Sequence, residues 1–303
     1  MMEKTAFYGK IQELLPNIEI KYEESMARHT SFRIGGPAEA MAFPKSVQEL
    51  SGLMKICSET NIIPRILGAG TNILAPDDGI DGLVICLKDS LDGMELLDET
   101  HIRVAAGVTM SRAAIFAASQ NLGGMEFAHG IPGTVGGGVY MNAGAYGGEI
   151  ADVCESVDVM SASGAITTRT CDEMGFSYRH SCLEESGGIV VSVVFKLQPK
   201  PEQEVRAKMH ELLTKRKTSQ PLDLPSAGSA FKRPVGGYAA ALIDQAGLKG
   251  FCIGDAAVSE KHAGFVVNLG NATAGDVTTL MQQVANKVFK NSGIKLEPEV
   301  RFW

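Results

Sequence analysis

The sequence predicts an α+β protein of two or three domains, and three observations lead there. At 303 residues the chain is long enough to build more than one core. Its first two hundred residues read as short apolar strands flanked by helices. After Pro199-Lys200-Pro201 the pattern changes to intermixed helices and strands, as in a separate domain.

The elements follow in order. Residues 1–27 read as an amphipathic helix, with Ile11, Leu14 and Leu15 on its apolar side, and then a short strand at 18–21. Residues 38–43 form the next expected strand. Ser46-Val47-Gln48-Glu49 has capping-box spacing, and Leu50, Leu53, Met54 and Cys57 follow at helical intervals. An apolar strand at 62–67 ends in Gly68-Ala69-Gly70-Thr71-Asn72, a glycine turn at a strand's carboxyl end, where α/β units bind ligands. A strand at 82–87 completes this unit. Residues 94–106 read as a hairpin turning at Asp98-Glu99-Thr100. Thr109 caps a helix to Ser119, closed by Asn121 and Gly123. A second hairpin is expected at 156–168, with Ala162-Ser163-Gly164 at its turn. A polar, aromatic turn at 176–181 precedes a long apolar strand at 188–198. Pro201 opens a helix to Lys217, with Val205, Met209, Leu212 and Leu213 on one face. Residues 218–234 have the composition of neither a linker nor a helix. A helix at 237–246 and a strand at 265–269 come next. Thr273, with Asp276 three residues on, starts a helix to Asn291, and a strand at 295–303 ends the chain.

The stretch from Gly123 to Ile150 holds ten of the chain's 34 glycines. Glycine loses the most backbone freedom on folding, so such a run needs a reason. Apolar Ile131, Val135, Val139 and Met141 interrupt it, unlike a Gly-Ser linker. An ordered loop wrapping an anion, a phosphate or pyrophosphate, fits this composition. Two well-known phosphate loops are excluded. No Gly-Lys pair is followed by Ser or Thr, and Gly68-Ala69-Gly70-Thr71-Asn72-Ile73 has isoleucine where the dinucleotide fingerprint has its third glycine.

A net charge of −7 without a basic stretch argues against nucleic-acid binding. No window approaches the length of an apolar membrane span, and the N-terminus lacks a signal-peptide core. The six cysteines show no Cys-x-x-Cys spacing and read as reduced, mostly buried thiols. The six histidines show no His-x-x-x-His spacing, so no metal site is expected. A cytoplasmic location is the expectation; none of these features speaks to oligomeric state.

Three polar clusters stand apart from the packing pattern. Arg179, in Tyr178-Arg179-His180, suits bidentate recognition of a carboxylate or phosphate, or equally the solvated tip of a turn. Ser229, beside Gly228, can present a hydroxyl for proton transfer, or be an ordinary loop serine. Glu297, Glu299 and Arg301 share one face of an extended segment around Pro298, a polar site or a solvated edge.

Seven blocks in fixed order carry a resemblance: TSFRIGGPAE (30–39), ILGAGTNIL (66–74), GIPGTVGGGVYMNAGAYGGEI (130–150), SYRHS (177–181), PSAGSAFKRP (225–234), VSEKHAGFVVN (258–268) and LEPEVRF (296–302). In them the chain resembles the UDP-N-acetylenolpyruvoylglucosamine reductase (MurB) family, flavoenzymes of peptidoglycan synthesis, over residues 28–302. The resemblance implies an α+β protein with an FAD-binding fold of the vanillyl-alcohol oxidase (PCMH) type, in two subdomains, plus an α+β substrate-binding domain. On that basis residues 1–200 hold FAD, as subdomains 1–88 and 89–200 completed by 293–303. Residues 201–292 bind the UDP-sugar. With no aromatic-rich insertion between 181 and 188, the chain is similar to the shorter, type II form.

The family's reaction has two halves. NADPH as co-substrate reduces FAD; UDP-N-acetylglucosamine enolpyruvate then takes a hydride at C3 and a proton at C2 to give UDP-N-acetylmuramate. By resemblance Ser229 matches the proton donor, Arg179 the arginine on the substrate carboxylate and developing enolate, and Glu299 the third catalytic residue. Leu67, Gly68, Ala69, Gly70, Thr71, Asn72, Gly130, Ile131, Pro132, Gly133, Thr134, Asn142, Gly144, Ala145 and Arg301 match flavin-binding positions. Tyr178, Lys217, His262 and Asn268 match the substrate pocket. Two residues depart from the pattern: His29 and Arg233 each stand where asparagine is expected. An oxidase of the same fold and a catalytically silent UDP-sugar-binding protein are the alternatives. The Ser229, Arg179 and Glu299 set argues against both.

Overall fold

A computed structural model describes residues 2–303 and, from Phe7 onward, their side chains. The chain divides into two compact units. The first comprises the residues up to Tyr22, Ala40–Ala69 and Gly82–Thr214; the second comprises Glu23–Glu39, Gly70–Asp81 and Lys215–Trp303. Packing thus groups 23–39 and 70–81 with the C-terminal segment.

In the first unit, strand Arg65–Leu67 runs parallel to Ile80–Cys86, in register Leu67 to Cys86. Helix Val47–Glu59 buries Leu50, Leu53, Met54, Ile56 and Cys57. Its cap is half of the expected box. Ser46 Oγ accepts from Glu49 N–H at 3.1 Å, but the Glu49 carboxylate reaches one residue further back, to Lys45 N–H at 2.6 Å. Phe7 and Ile11 of helix Met2–Leu14 join this core, whereas Leu14, expected on the apolar side, is 58% exposed.

A five-stranded antiparallel sheet follows, in spatial order Ile166–Thr170, Cys154–Met160, Ile189–Lys196, His101–Ala105, Met94–Leu96. Both expected hairpins are present, with registers Leu96 to Ile102 and Met160 to Ile166. Strand Ile189–Lys196 is apolar but for Ser192 and its final lysine because it is covered on two sides. Val190, Val193 and Phe195 enter one core and Ile189 and Val191 another.

In the second unit, Ser226–Ser229, Phe265–Asn268, Ala256–Val258 and Cys252–Ile253 form an antiparallel sheet. Helix Ala274–Ser292 packs Val277, Leu280, Met281, Val284 and Val288 into the core of this unit. Its capping box is complete with an aspartate: Thr273 Oγ1 accepts from Asp276 N–H and Asp276 accepts from Thr273 N–H, each at 3.0 Å. Gly293 ends the helix at φ +72°, a left-handed conformation that suits glycine.

Three expectations are corrected. The strand expected at 62–67 is only Arg65–Leu67, with Ile63 93% exposed. The strand expected at 295–303 is only Arg301–Phe302, parallel to Ile73–Leu74. The proline ring removes the amide that a ladder needs, and Pro298 makes a single bridge to Phe231. The glycine-rich stretch is not one loop: Val135–Tyr140 is a short helix inside it. Of the cysteines, Cys57, Cys86 and Cys154 are buried, Cys171 and Cys182 half-buried and Cys252 exposed, all as free thiols. No helix among the described residues is long and apolar enough to cross a membrane.

Leu53→Ala, which opens a cavity in a fully buried position, is expected to cost about 2–5 kcal/mol in urea unfolding, with Ile63→Ala close to neutral.

Candidate active site

In the first unit the parallel strand Arg65–Leu67 delivers Leu67, Gly68 and Ala69 to its carboxyl end. Thr134 meets them there. Its side chain is buried, and its Oγ1 caps helix Val135–Tyr140 by accepting from Gly137 N–H at 3.3 Å. A β-carbon at Gly68 would stand 2.5 Å from that oxygen, so only glycine permits the approach. Residues 130–134 are stitched to 108–110: Gly133 O accepts from Met110 N–H at 3.0 Å, and Val135 N–H donates to Val108 O at 2.8 Å. Gly133 has φ +146°. Gly130 closes the short 3₁₀ turn Glu126–Gly130, and Ile131 N–H donates back to Ala128 O at 3.0 Å, with Pro132 next in the chain. The amides of Gly68, Ala69, Gly133 and Thr134 donate to no acceptor among the described residues. Bare N–H groups on two loops that approach each other at Gly68 and Thr134 are a donor set of the kind that suits an anion such as a cofactor diphosphate.

The later half of the glycine-rich stretch is tied to the turn that carries Arg179. Ser177 and His180 exchange backbone hydrogen bonds at 3.1 and 3.2 Å, leaving Tyr178 and Arg179 at the corner. Arg179 has φ +57°. Its Nη2 donates to Gly144 O at 3.1 Å, and its guanidinium lies 5.1 Å from the centre of the half-exposed Tyr178 ring. Gly144–Ala145 pairs with Gly148–Glu149 in a minimal hairpin. Asn142 is fully buried; its Nδ2 donates to Ser177 O and its Oδ1 accepts from Ala151 N–H, both at 3.0 Å.

In the second unit, strand Ser226–Ser229 brings Ser229 beside Glu299. Ser229 pairs with Phe265, Ala230 N–H donates to Gly264 O at 2.8 Å, and Glu299 N–H donates to Ala230 O at 2.9 Å. Lys232 N–H donates to Glu297 O at 2.8 Å, which extends the pairing on the other side of Pro298. Ser229 is exposed. Asn72 braces the same segment: its Nδ2 donates to Glu299 O at 3.2 Å, and its carbonyl accepts from Arg301 N–H at 2.9 Å. Gly70, next to Thr71, has φ +61° and a β-carbon there would collide with the His29 carbonyl. Lys217 is exposed in the last turn of helix Glu202–Ser219, and its carbonyl accepts from Lys261 Nζ at 2.6 Å. His262 packs edge-on against Phe265 with ring centres 5.0 Å apart, and burial holds its pKa below the usual histidine value.

Asn268 does not look outward. It is buried, its Nδ2 donates to Phe32 O at 3.0 Å, and its Oδ1 accepts from Gly270 and Ala272 N–H at 2.8 and 3.0 Å. In this structure it is a brace for the backbone. The two departures from the family pattern also find partners. His29 Nε2 meets Glu24 Oε1 at 2.8 Å, and the Arg233 guanidinium stacks 4.0 Å above the Tyr238 ring.

Reading the residues alone missed Ser31 and Asp77. Ser31 Oγ donates to Ser226 O at 2.6 Å, steadying the strand that carries Ser229. Asp77 accepts from Ala274 and Gly275 N–H at 2.8 and 3.1 Å, at the start of helix Ala274–Ser292. Ser31 lies in the TSFRIGGPAE block, the one signal that pointed near it.

Known proteins resemble this chain over nearly its whole length. An FAD binding domain family model matches residues 38–170. The model for the UDP-N-acetylenolpyruvoylglucosamine reductase C-terminal domain matches residues 220–303. A UDP-N-acetylenolpyruvoylglucosamine reductase of Agathobacter rectalis is 47% identical across 97% of this chain and 97% of its own. One of Streptococcus pneumoniae is 44% identical across 96% of both chains. The crystal structure of UDP-N-acetylenolpyruvylglucosamine reductase from Thermus caldophilus superposes with a TM-score of 0.80 at 37% identity, covering 95% of this chain and 99% of that one. The fold is thus the FAD-binding one expected, and the protein is an FAD-dependent oxidoreductase. The chain belongs to the UDP-N-acetylenolpyruvoylglucosamine reductase family.

Gly68→Ala is expected to weaken FAD retention about tenfold, ~1.4 kcal/mol, read as flavin absorbance per protein, because Thr134 must move. Gly9→Ala, where a β-carbon meets nothing within 4 Å, is expected to leave it unchanged. Next to Arg179, the Glu185 carboxylate at 2.7 Å raises the His180 pKa. The folded pKa lies above the unfolded one, so this pair's stabilisation is full below the unfolded value and is lost as pH rises through the folded value. By NMR, His180 is expected to titrate above a free histidine, and Glu185→Gln to lower its midpoint.

Proposed function

We propose that this chain is the NADPH- and FAD-dependent reductase that converts UDP-N-acetylglucosamine enolpyruvate into UDP-N-acetylmuramate in peptidoglycan precursor synthesis. The observation that carries the reading is the pairing of Glu299 N–H with Ala230 O at 2.9 Å. It sets an exposed serine hydroxyl and a carboxylate on neighbouring backbones within one unit.

Residues 1–200 with 293–303 serve the flavin and 201–292 the UDP-sugar. The amides of Gly68, Ala69, Gly133 and Thr134 are the donors for the FAD diphosphate. Bound FAD, once reduced by NADPH, supplies the hydride for C3 of the enol ether.

The chain's own residues handle charge and proton. Arg179 offers its guanidinium fork to the substrate carboxylate and steadies the negative charge that spreads onto it as C2 becomes carbanionic. Ser229 donates the proton at C2. A neutral hydroxyl is acid enough here because a carbanion is a strong base, and it carries no charge into the site. Glu299 assists by polarising the enolate or relaying the proton. Lys217, exposed and cationic, suits the diphosphate of the sugar nucleotide. His262, kept neutral by burial, and Tyr178 suit its polar and planar groups. Asn268, with its amide committed to backbone, has no part in this set. Six free thiols, three of them buried, and an NADPH-driven reaction suit a reducing compartment, so the cytoplasm is the proposed location.

The test is an anaerobic spectrum. NADPH is expected to bleach the flavin and the enolpyruvyl sugar to restore it. Recovery only on admitting air would indicate an oxidase, and no flavin spectrum after FAD is supplied would refute the flavoenzyme. Ser229→Ala is expected to bleach normally but to turn over roughly 10²–10⁴-fold more slowly; unchanged turnover would remove Ser229 from its role.

A further inference from the structure

We infer that Asn142 is a positioning residue for Arg179, not the flavin contact that its place in the glycine-rich stretch implies. The inference rests on the proposed role of Arg179 in holding the substrate carboxylate.

Asn142 is fully buried and sits at φ +41°, a left-handed conformation that asparagine tolerates better than most residues. Both ends of its amide are committed to backbone. Oδ1 accepts from Ala151 N–H at 3.0 Å, which fixes the plane of the amide. Nδ2 donates to Ser177 O at 3.0 Å. That same carbonyl accepts His180 N–H at 3.2 Å, the bond that closes the turn around Tyr178 and Arg179. Asn142 therefore grips the turn at its closing point. Two residues on, Gly144 O accepts from Arg179 Nη2 at 3.1 Å. On the other flank, the buried Ser181 donates its hydroxyl to Tyr140 O at 2.8 Å.

Residues 140–144 thus hold the turn on both flanks of Arg179 and take one guanidinium N–H. An arginine has five donors in a rigid fork. The bond from one of them to the Gly144 carbonyl orients the fork. Arg179 itself sits at φ +57°, a conformation an arginine keeps only when its surroundings impose it. Asn142 supplies part of that constraint.

The test uses the holoenzyme with Asn142→Gly, which keeps the positive φ and deletes the amide, together with Arg179→Lys and the double variant. Asn142→Gly is expected to keep its flavin content and its rate of bleaching by NADPH. Amide exchange over 177–181 should quicken, and recovery on adding the enolpyruvyl sugar should slow about 10–100-fold. The double variant should recover no more slowly than Arg179→Lys alone, since Asn142 acts through Arg179. Loss of flavin with unchanged recovery per bound flavin would make Asn142 a cofactor contact and overturn the inference, as would additive losses in the double variant. Wild-type recovery in Arg179→Lys would overturn the reading of Arg179 itself. Wild-type recovery in Asn142→Gly with a slow Arg179→Lys would overturn only the positioning role. Should Asn142→Gly fail to fold, Ser181→Ala replaces it with the same expected pattern, and wild-type recovery there would count against the inference.

Discussion

The carbonyl of Ser177 accepts two hydrogen bonds, one from His180 N–H and one from Asn142 Nδ2. The first makes the turn, and the second anchors it to a buried side chain. Without that anchor, Arg179 would ride on a two-residue corner in a left-handed conformation, with its guanidinium on a long flexible stem. With it, the fork has a fixed origin. Buried polar groups that are fully satisfied rigidify their surroundings in this way, and a partly satisfied one would cost more than an apolar replacement.

Glycine does three separate jobs in the stretch from 123 to 150. At Gly133 it allows a positive φ where the loop turns under helix Val135–Tyr140. At Gly136 a β-carbon would stand 2.9 Å from that of Ala106, so its absence lets the helix pack on the adjoining backbone. At Gly144 a β-carbon would crowd Glu149 and Gly148, so glycine keeps the hairpin narrow where its carbonyl receives Arg179. Around Gly133 and Thr134 the amides are left bare, as the expected anion-wrapping loop would need. The remainder serves packing and the arginine.

The second unit shows the same economy around a proline. Pro298 ends regular pairing, yet Glu297 and Glu299 flank it with backbone bonds to Lys232 and Ala230. The interruption is what sets Glu299 opposite Ala230, one residue from Ser229. Asn72 closes the arrangement by holding both Glu299 O and Arg301 N–H, so a residue expected to contact flavin braces the segment that carries Glu299.

Local rules made much of this protein legible in its sequence. Helical spacing located the buried faces of Val47–Glu59 and Ala274–Ser292, and turn chemistry located both hairpins and the 177–180 corner. Seven ordered blocks identified the family and its reaction, because residue types at fixed spacing record what a site requires. What the sequence could not settle was where a side chain spends its hydrogen bonds. Asn142 and Asn268 sit in motifs that suggest ligands, yet both are buried with their amides on backbone carbonyls and N–H groups. The carbonyls that accept from their Nδ2 groups lie 35 and 236 residues away along the chain. Such pairings are set by tertiary packing, which no local pattern encodes, and so only the tertiary structure decided that these two amides are committed to backbone.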